Sequence, residues 1–222
     1  MRDVIRVFQE RKEEIDLYFE FLEDLMIKNA QLTFPDNTKK NLDSTLSKIL
    51  RANGFLLIYN VVESCISQGI EAIYLDIINK GIDYNSISSN IQREIIGNIK
   101  SNIKVVKFVE DVNDITIDII RQYPKKIFSG NVDARKIKEI ADKYGFSHQT
   151  DAKFTKNGAK LLTVKDKRND LAHGEISFQE CGKDYTIQDI IAIKNEVIKY
   201  LEEILNNIEQ FLLQNKHRAV QL

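Results

Sequence analysis

The sequence predicts an all-α helical bundle framed by a long helix at each end, on three observations. Apolar residues recur at three- and four-residue steps over most of the 222-residue chain. Only two prolines and nine glycines interrupt it. Capping and stop signals bracket the periodic stretches. Strand is the minority expectation, confined to a candidate β-hairpin or ordered loop at residues 175–185. The length suits one domain, residues 1–222, with 123–157 as a candidate insertion or cap and 214–222 as a frayed tail.

In chain order, Val4, Val7, Phe8, Ile15, Tyr18, Phe19, Leu22, Leu25 and Met26 form one apolar face of a helix over residues 3–29, with charged residues opposite. The stretch Gln31 to Asn37, with Pro35, breaks it. Helical pattern resumes from Thr38 to Lys80. Its run Phe55 to Val62 is apolar more than one stripe wide, so this helix is expected at the centre of the bundle. Asn60 and Glu63 are polar interruptions of that run. A nearby Arg could serve as partner, or both could face solvent.

Ser88 or Ser89 caps the next helical piece, near Asn90 to Ile103, and another follows from Val105 to Gln122. Tyr123-Pro124 ends that pair. Asp133 caps a short helix that Gly145 stops after Tyr144. Residues 147–157 read as irregular and mobile, with His148 as a loop histidine. Helix returns near Gly158 and carries Leu161, Leu162, Val164 and Leu171 inward. Thr186 and Asp189 form a capping box for the final long helix, whose inner face runs from Ile190 to Leu212.

The chemistry concentrates in Lys165-Asp166-Lys167-Arg168-Asn169-Asp170-Leu171-Ala172-His173-Gly174. An always-charged guanidinium can stabilise a phosphate, and an imidazole that titrates near neutrality can move protons, so the pair suits a phosphodiester. On a helix Asn169 and His173 share a face, while Arg168 is turned from His173 by about 140°. Arg168 must reach around, the last turn must loosen at Gly174, or a second copy of the chain must complete the site. The plainer alternative is a surface arginine and a histidine that favours the helix dipole.

Net charge is −1, which argues against indiscriminate nucleic-acid binding. Residues 121–168, however, carry thirteen Lys or Arg against five Asp or Glu. A polyanion is drawn to that segment. The longest apolar run is far shorter than the roughly 20 residues that span a bilayer, and the N-terminus lacks the pattern of a signal peptide. The expectation is a cytoplasmic protein without a membrane partner. Cys65 reads as a buried thiol and Cys181 as a loop thiol, with no disulfide and no metal-ligand spacing.

Arg168-Asn169-Asp170-Leu171-Ala172-His173 resembles the Arg-x4-6-His motif of the HEPN superfamily. The stretches Glu10 to Phe19 and Asn53 to Ser64 are similar to an uncharacterised bacterial branch of it, first noted in cyanobacterial genomes, and the likeness spans roughly residues 8–213. The resemblance implies a HEPN-like helical bundle that forms a homodimer, with two Arg-His motifs in one cleft. It also implies a metal-independent endoribonuclease of toxin-antitoxin or antiphage defence systems, needing no cofactor and leaving a 2′,3′-cyclic phosphate. Carried over by residue, Arg168 and His173 match the catalytic pair and Asn169 the polar position beside it. Asn60 and Glu63 stand as supporting residues, and Lys160, Lys165 and Lys167 as RNA-backbone contacts. An antitoxin or defence-system protein is the further partner implied. Two alternatives stay open: a non-catalytic nucleotide- or RNA-binding module, and a structural adaptor.

Overall fold

The structure is a computed structural model that describes residues 1–28, 30–102 and 131–219, with residues 98–102 described as backbone alone. The expected helix Val105 to Gln122, the Tyr123-Pro124 stop and the first part of the 123–157 segment lie outside these residues.

Helix α1, Arg2–Met26, buries Phe8, Ile15, Phe19 and Leu22 and leaves its acidic face in water. Pro35 falls in the break after it, where a two-stranded antiparallel ribbon forms: β1, Leu32–Thr33, pairs with β2, Lys39–Lys40. Asp36 holds the turn by accepting hydrogen bonds from the Thr38 amide and hydroxyl at 3.0 and 2.6 Å. Lys39 and Lys40 therefore pair as strand rather than opening the next helix. Helix α2 instead starts where Asp43 accepts from the Thr45 and Leu46 amides, and spans Ser44–Asn79.

α2 is the centre of the bundle. Phe55, Ile58, Tyr59, Val61, Val62, Cys65 and Ile66 are all buried, a face wider than one stripe, which leaves only a narrow solvent side at Leu57 and Asn60 over these turns. The helix is long and apolar enough to cross a membrane by length and composition, yet α1 and the later helices pack on it from several sides, as on a core helix.

After a 3₁₀ turn at Tyr84–Ser86 comes α3, Ser89–Asn102. Asp133 caps α4, Ala134–Tyr144, and Gly145 ends it in the left-handed region at φ 89°. The loop expected beyond it holds a short helix, α5, Ala152–Thr155, capped by Asp151, and a 3₁₀ turn at Lys156–Gly158. Helix α6, Ala159–His173, follows. The final helix, α8, Ile187–Leu213, opens on the expected capping box, with Thr186 Oγ1 accepting from the Asp189 amide and Asp189 Oδ2 from the Thr186 amide. Its inner face packs on α1 and α2, and Lys12 of α1 pairs with Glu202 of α8 at 2.8 Å.

Three expectations are corrected. Residues 175–185 are not a hairpin: Ser177 and Glu180 form a second capping box that opens α7, Phe178–Lys183. Cys181 consequently sits buried in a helix rather than in a loop. Gly182 is there for contact: a Cβ at this position would stand 1.9 Å from the Lys48 carbonyl oxygen of α2. The end of the chain, over its described part 214–219, is not frayed. The Ser88 amide donates to the His217 carbonyl and the Ala219 amide to the Ser86 carbonyl, both at 2.9 Å. His217 is fully buried, its Nε2 3.0 Å from Asp76 Oδ2 without the angle of a hydrogen bond.

Two outcomes follow from this packing. Gly182→Ala forces α7 off α2 and should lower stability by about 1–3 kcal/mol or more, read as a lower urea midpoint at unchanged slope. Burial pushes the His217 imidazole below its ordinary 6.5, against the opposing pull of Asp76. The folded state thus resists a proton that the unfolded chain takes up. Stability is full above the unfolded value and falls as pH drops below it, and His217→Gln should flatten that fall in melts recorded between neutral and mildly acidic pH.

Candidate active site

The Arg-His stretch forms the last turns of α6. Gly174, at φ 72°, ends the helix: its amide donates to the Leu171 carbonyl at 3.3 Å and the Glu175 amide to the Asp170 carbonyl at 2.8 Å. This pair of bonds is a Schellman stop, and it fixes His173 as the final helical residue. The imidazole is exposed there, at the end of the helix where a cation is favoured.

Arg168 is placed differently. Its guanidinium lies over the ring of Tyr59 on α2, 4.9 Å from the centroid, and Nη1 donates to Asn169 Oδ1 at 3.1 Å. Asn169 Nδ2 donates in turn to Asn131 Oδ1 at 2.8 Å. Among the described residues no hydrogen bond or ion pair joins Arg168 to His173, and none reaches His173 at all. Among the described residues one chain thus supplies a held arginine and a histidine without a side-chain partner, turned from each other by about 140° around the same helix end.

Tyr59 is the residue that reading the sequence as an apolar run concealed. Its side chain is 1% exposed, yet its hydroxyl accepts the Val132 amide proton at 2.9 Å. Burial pushes its phenol up to about 12, partly offset by that amide, while the Glu63 carboxylate one turn along α2 adds to the rise. The phenol is therefore neutral at any physiological pH. The next residues extend the strap. Asp133 Oδ1 caps α4 through the Lys136 amide at 3.0 Å, and Asp133 Oδ2 takes Lys165 Nζ at 3.1 Å. Burial alone would raise the Asp133 carboxyl, but the Lys136 amide and the Lys165 ammonium outweigh it and hold it below its usual range. Residues 131–133 are tied to α2 at one point and to α6 at two.

The other expected residues divide. Glu63 is half-buried beside Tyr59, within the neighbourhood of Arg168. Asn60 faces the other way: it accepts from Arg11 Nη1 at 2.7 Å and belongs to the α1–α2 contact. Lys165 is not a surface cation, since its side chain is 14% exposed and its charge is spent on Asp133 and Asp166. Lys167 stands 3.8 Å from Asp170, and Lys160 is exposed. His148 is a loop histidine, 3.7 Å from Asp142. Among the described residues no group of three or more His, Cys, Asp or Glu could hold a metal ion.

The class these features define is an all-α domain whose polar Arg-Asn-x3-His helix end is set against a central apolar helix. A family model, MAE_28990-like HEPN, matches residues 3–217, and the chain belongs to this HEPN family. Neither the curated proteins nor the solved structures gave a match.

Tyr59→Phe keeps the ring under Arg168 but leaves the Val132 amide without its acceptor. A buried amide so orphaned should cost about 1–3 kcal/mol of stability, measured by urea unfolding.

Proposed function

We propose that this HEPN domain is a metal-independent endoribonuclease that works as a homodimer, the observation carrying the reading being Arg168-Asn169-x3-His173 at one helix end. HEPN membership supports an RNase-type module or a HEPN-like binding module; the intact pair favours the enzyme. His173, exposed and unengaged, takes the proton from a ribose 2′-hydroxyl as its oxygen attacks phosphorus, and a second His173 from the partner copy protonates the departing 5′-oxygen. The P–O5′ bond breaks, leaving a 2′,3′-cyclic phosphate and a 5′-hydroxyl. Arg168 stabilises the charge that develops on the phosphorane oxygens, from a position fixed by the Tyr59 ring. Asn169, already bonded to Arg168 and Asn131, orients the arginine or holds the phosphate.

The dimer matters because, among the described residues, no hydrogen bond joins Arg168 to His173 within one chain. That same separation favours the second reading, a module that binds nucleotide or RNA without cutting it. The setting that fits the enzyme is a toxin-antitoxin or antiphage defence system acting on cytoplasmic RNA, with a partner protein that restrains it.

End-labelled RNA incubated with purified protein in excess EDTA tests this. Wild type should cut and leave cyclic-phosphate ends, His173→Ala should lose about 10²–10⁴-fold in rate, and Arg168→Ala about 10²–10³-fold. Wild type that binds RNA but never cuts it selects the binding module.

A further inference from the structure

A second cationic site lies beside the strap. Between the first turn of α4, the loop 148–150 and the turn before α6 is a cleft of about 340 Å³. Arg135, Lys138 and His148 line it together with Gln149, Thr150 and Asn157, and the ring of the buried Tyr200 forms part of its wall. Arg135 and Lys138 are three residues apart on α4 and so share a face. Among the described residues the lining contains no carboxylate. Asp133 lies 3.6 Å from Arg135 and is already paired with Lys165, Asp142 lies 3.7 Å from His148, and Asp151 and Glu203 stand beyond Thr150, where Glu203 accepts from the Asp151 amide. The cleft therefore offers a guanidinium and an ammonium, with the Asn157 amide at its rim and the His148 imidazole and Gln149 amide bonded to each other at 3.1 Å, a cationic donor set suited to a phosphate group.

Its edge is unusual. Lys156, Asn157 and Gly158 are successively left-handed, at φ 47°, 54° and 73°. L-residues adopt this conformation at a cost, and it persists where packing enforces it. Here Thr155, fully buried, takes the Asn157 amide at 3.2 Å, and Gly158 sits so tightly that a Cβ would meet Leu161, Tyr200 and Ala134 at 3.0–3.1 Å. The turn holds Asn157 at the cleft rim.

The cleft is also close to the Arg168 site. Ala134 on its wall is three residues from Asn131, which bonds Asn169, and three residues of chain reach at most about 11 Å. We propose that this cleft is a subsite for a backbone phosphate of the RNA substrate, a short way along the strand from the phosphodiester that Arg168 and His173 address. The assignment rests on the ribonuclease reading above. The cleft moves the RNA-backbone contact from α6, where Lys165 is tied inward, to α4.

The test measures binding of a fluorescein-labelled oligouridylate across a salt series, in a His173→Ala background that prevents cutting. Arg135→Gln/Lys138→Gln is compared with Lys39→Gln/Lys40→Gln, an equal loss of charge on the exposed ribbon. The cleft variant should lower the slope of log affinity against log salt by about 0.7, one single-strand phosphate contact, and weaken binding at least about fivefold, while the ribbon variant does neither. Thermal melts confirm that both variants are folded. If the cleft and ribbon variants bind alike while RNA is bound and wild type cuts it, the cleft assignment falls and the ribonuclease reading stands. No RNA binding by any form overturns both. Uridine 5′-monophosphate separates the two phosphate sources: if it fills the cleft as tightly as the oligomer does, and the double variant abolishes both, the site is one for a free nucleotide and the RNA subsite is rejected.

Discussion

Tyr59 joins the core to the chemistry. Its ring is part of the buried wall of α2, and its two outward features do different jobs. The π-face receives the Arg168 guanidinium, which removes much of a long side chain's rotamer freedom before any substrate arrives. The hydroxyl takes the Val132 amide and so fixes the segment that presents Asn131 to Asn169 and Asp133 to Lys165. An arginine meant to meet a developing negative charge acts best when it need not reorganise. Stacking it on a buried ring of the central helix restrains it in that way.

Histidine and arginine are treated oppositely. Among the described residues no side-chain partner engages His173 at the Schellman stop, so its imidazole is open to whatever approaches that helix end. The guanidinium is held and the imidazole is exposed. The 140° or so between them around α6, which follows from 3.6 residues per turn, means that the lock on Arg168 cannot also hold His173. That division is what makes a second copy of the chain a natural complement.

Much of this was legible in the sequence. Long periodic stretches located α1, α2, α6 and α8 because burial along a helix repeats every 3.6 residues, and local chemistry alone identified the Asp133 and Thr186 caps. Helix α7 was missed although Ser177-x-x-Glu180 carries the same capping box as Thr186-x-x-Asp189; Gly182 suggested a loop, whereas it is required by the approach of Lys48. The docked end 214–219 had no local signal, since His217 is buried by residues far off in sequence, Asp76 and the 86–88 segment. At the site, the Arg-Asn-x3-His string was readable and Tyr59 was not, because an aromatic in an apolar run counts as core whether or not its hydroxyl is used. Asp133 was half read: the cap engages one oxygen, and the other belongs to Lys165.

That second oxygen changes the electrostatics of the whole face. Sequence counting credited α6 with Lys165 and Lys167 as attractors for a polyanion, but Lys165 neutralises Asp133 inside the strap and Lys167 lies near Asp170. Charges paired at short range contribute little to the field a polyanion meets, and beyond about a Debye length they contribute less still. Arg135 has only a 3.6 Å contact with the already paired Asp133, and no ion pair engages Lys138 among the described residues. The unpaired basic charge of the described part of this half therefore includes Arg135 and Lys138 on α4 and Lys160 in the first turn of α6, rather than Lys165 and Lys167. Residues 131–133 connect that part of α4 to Arg168, through Asn131 and Asn169.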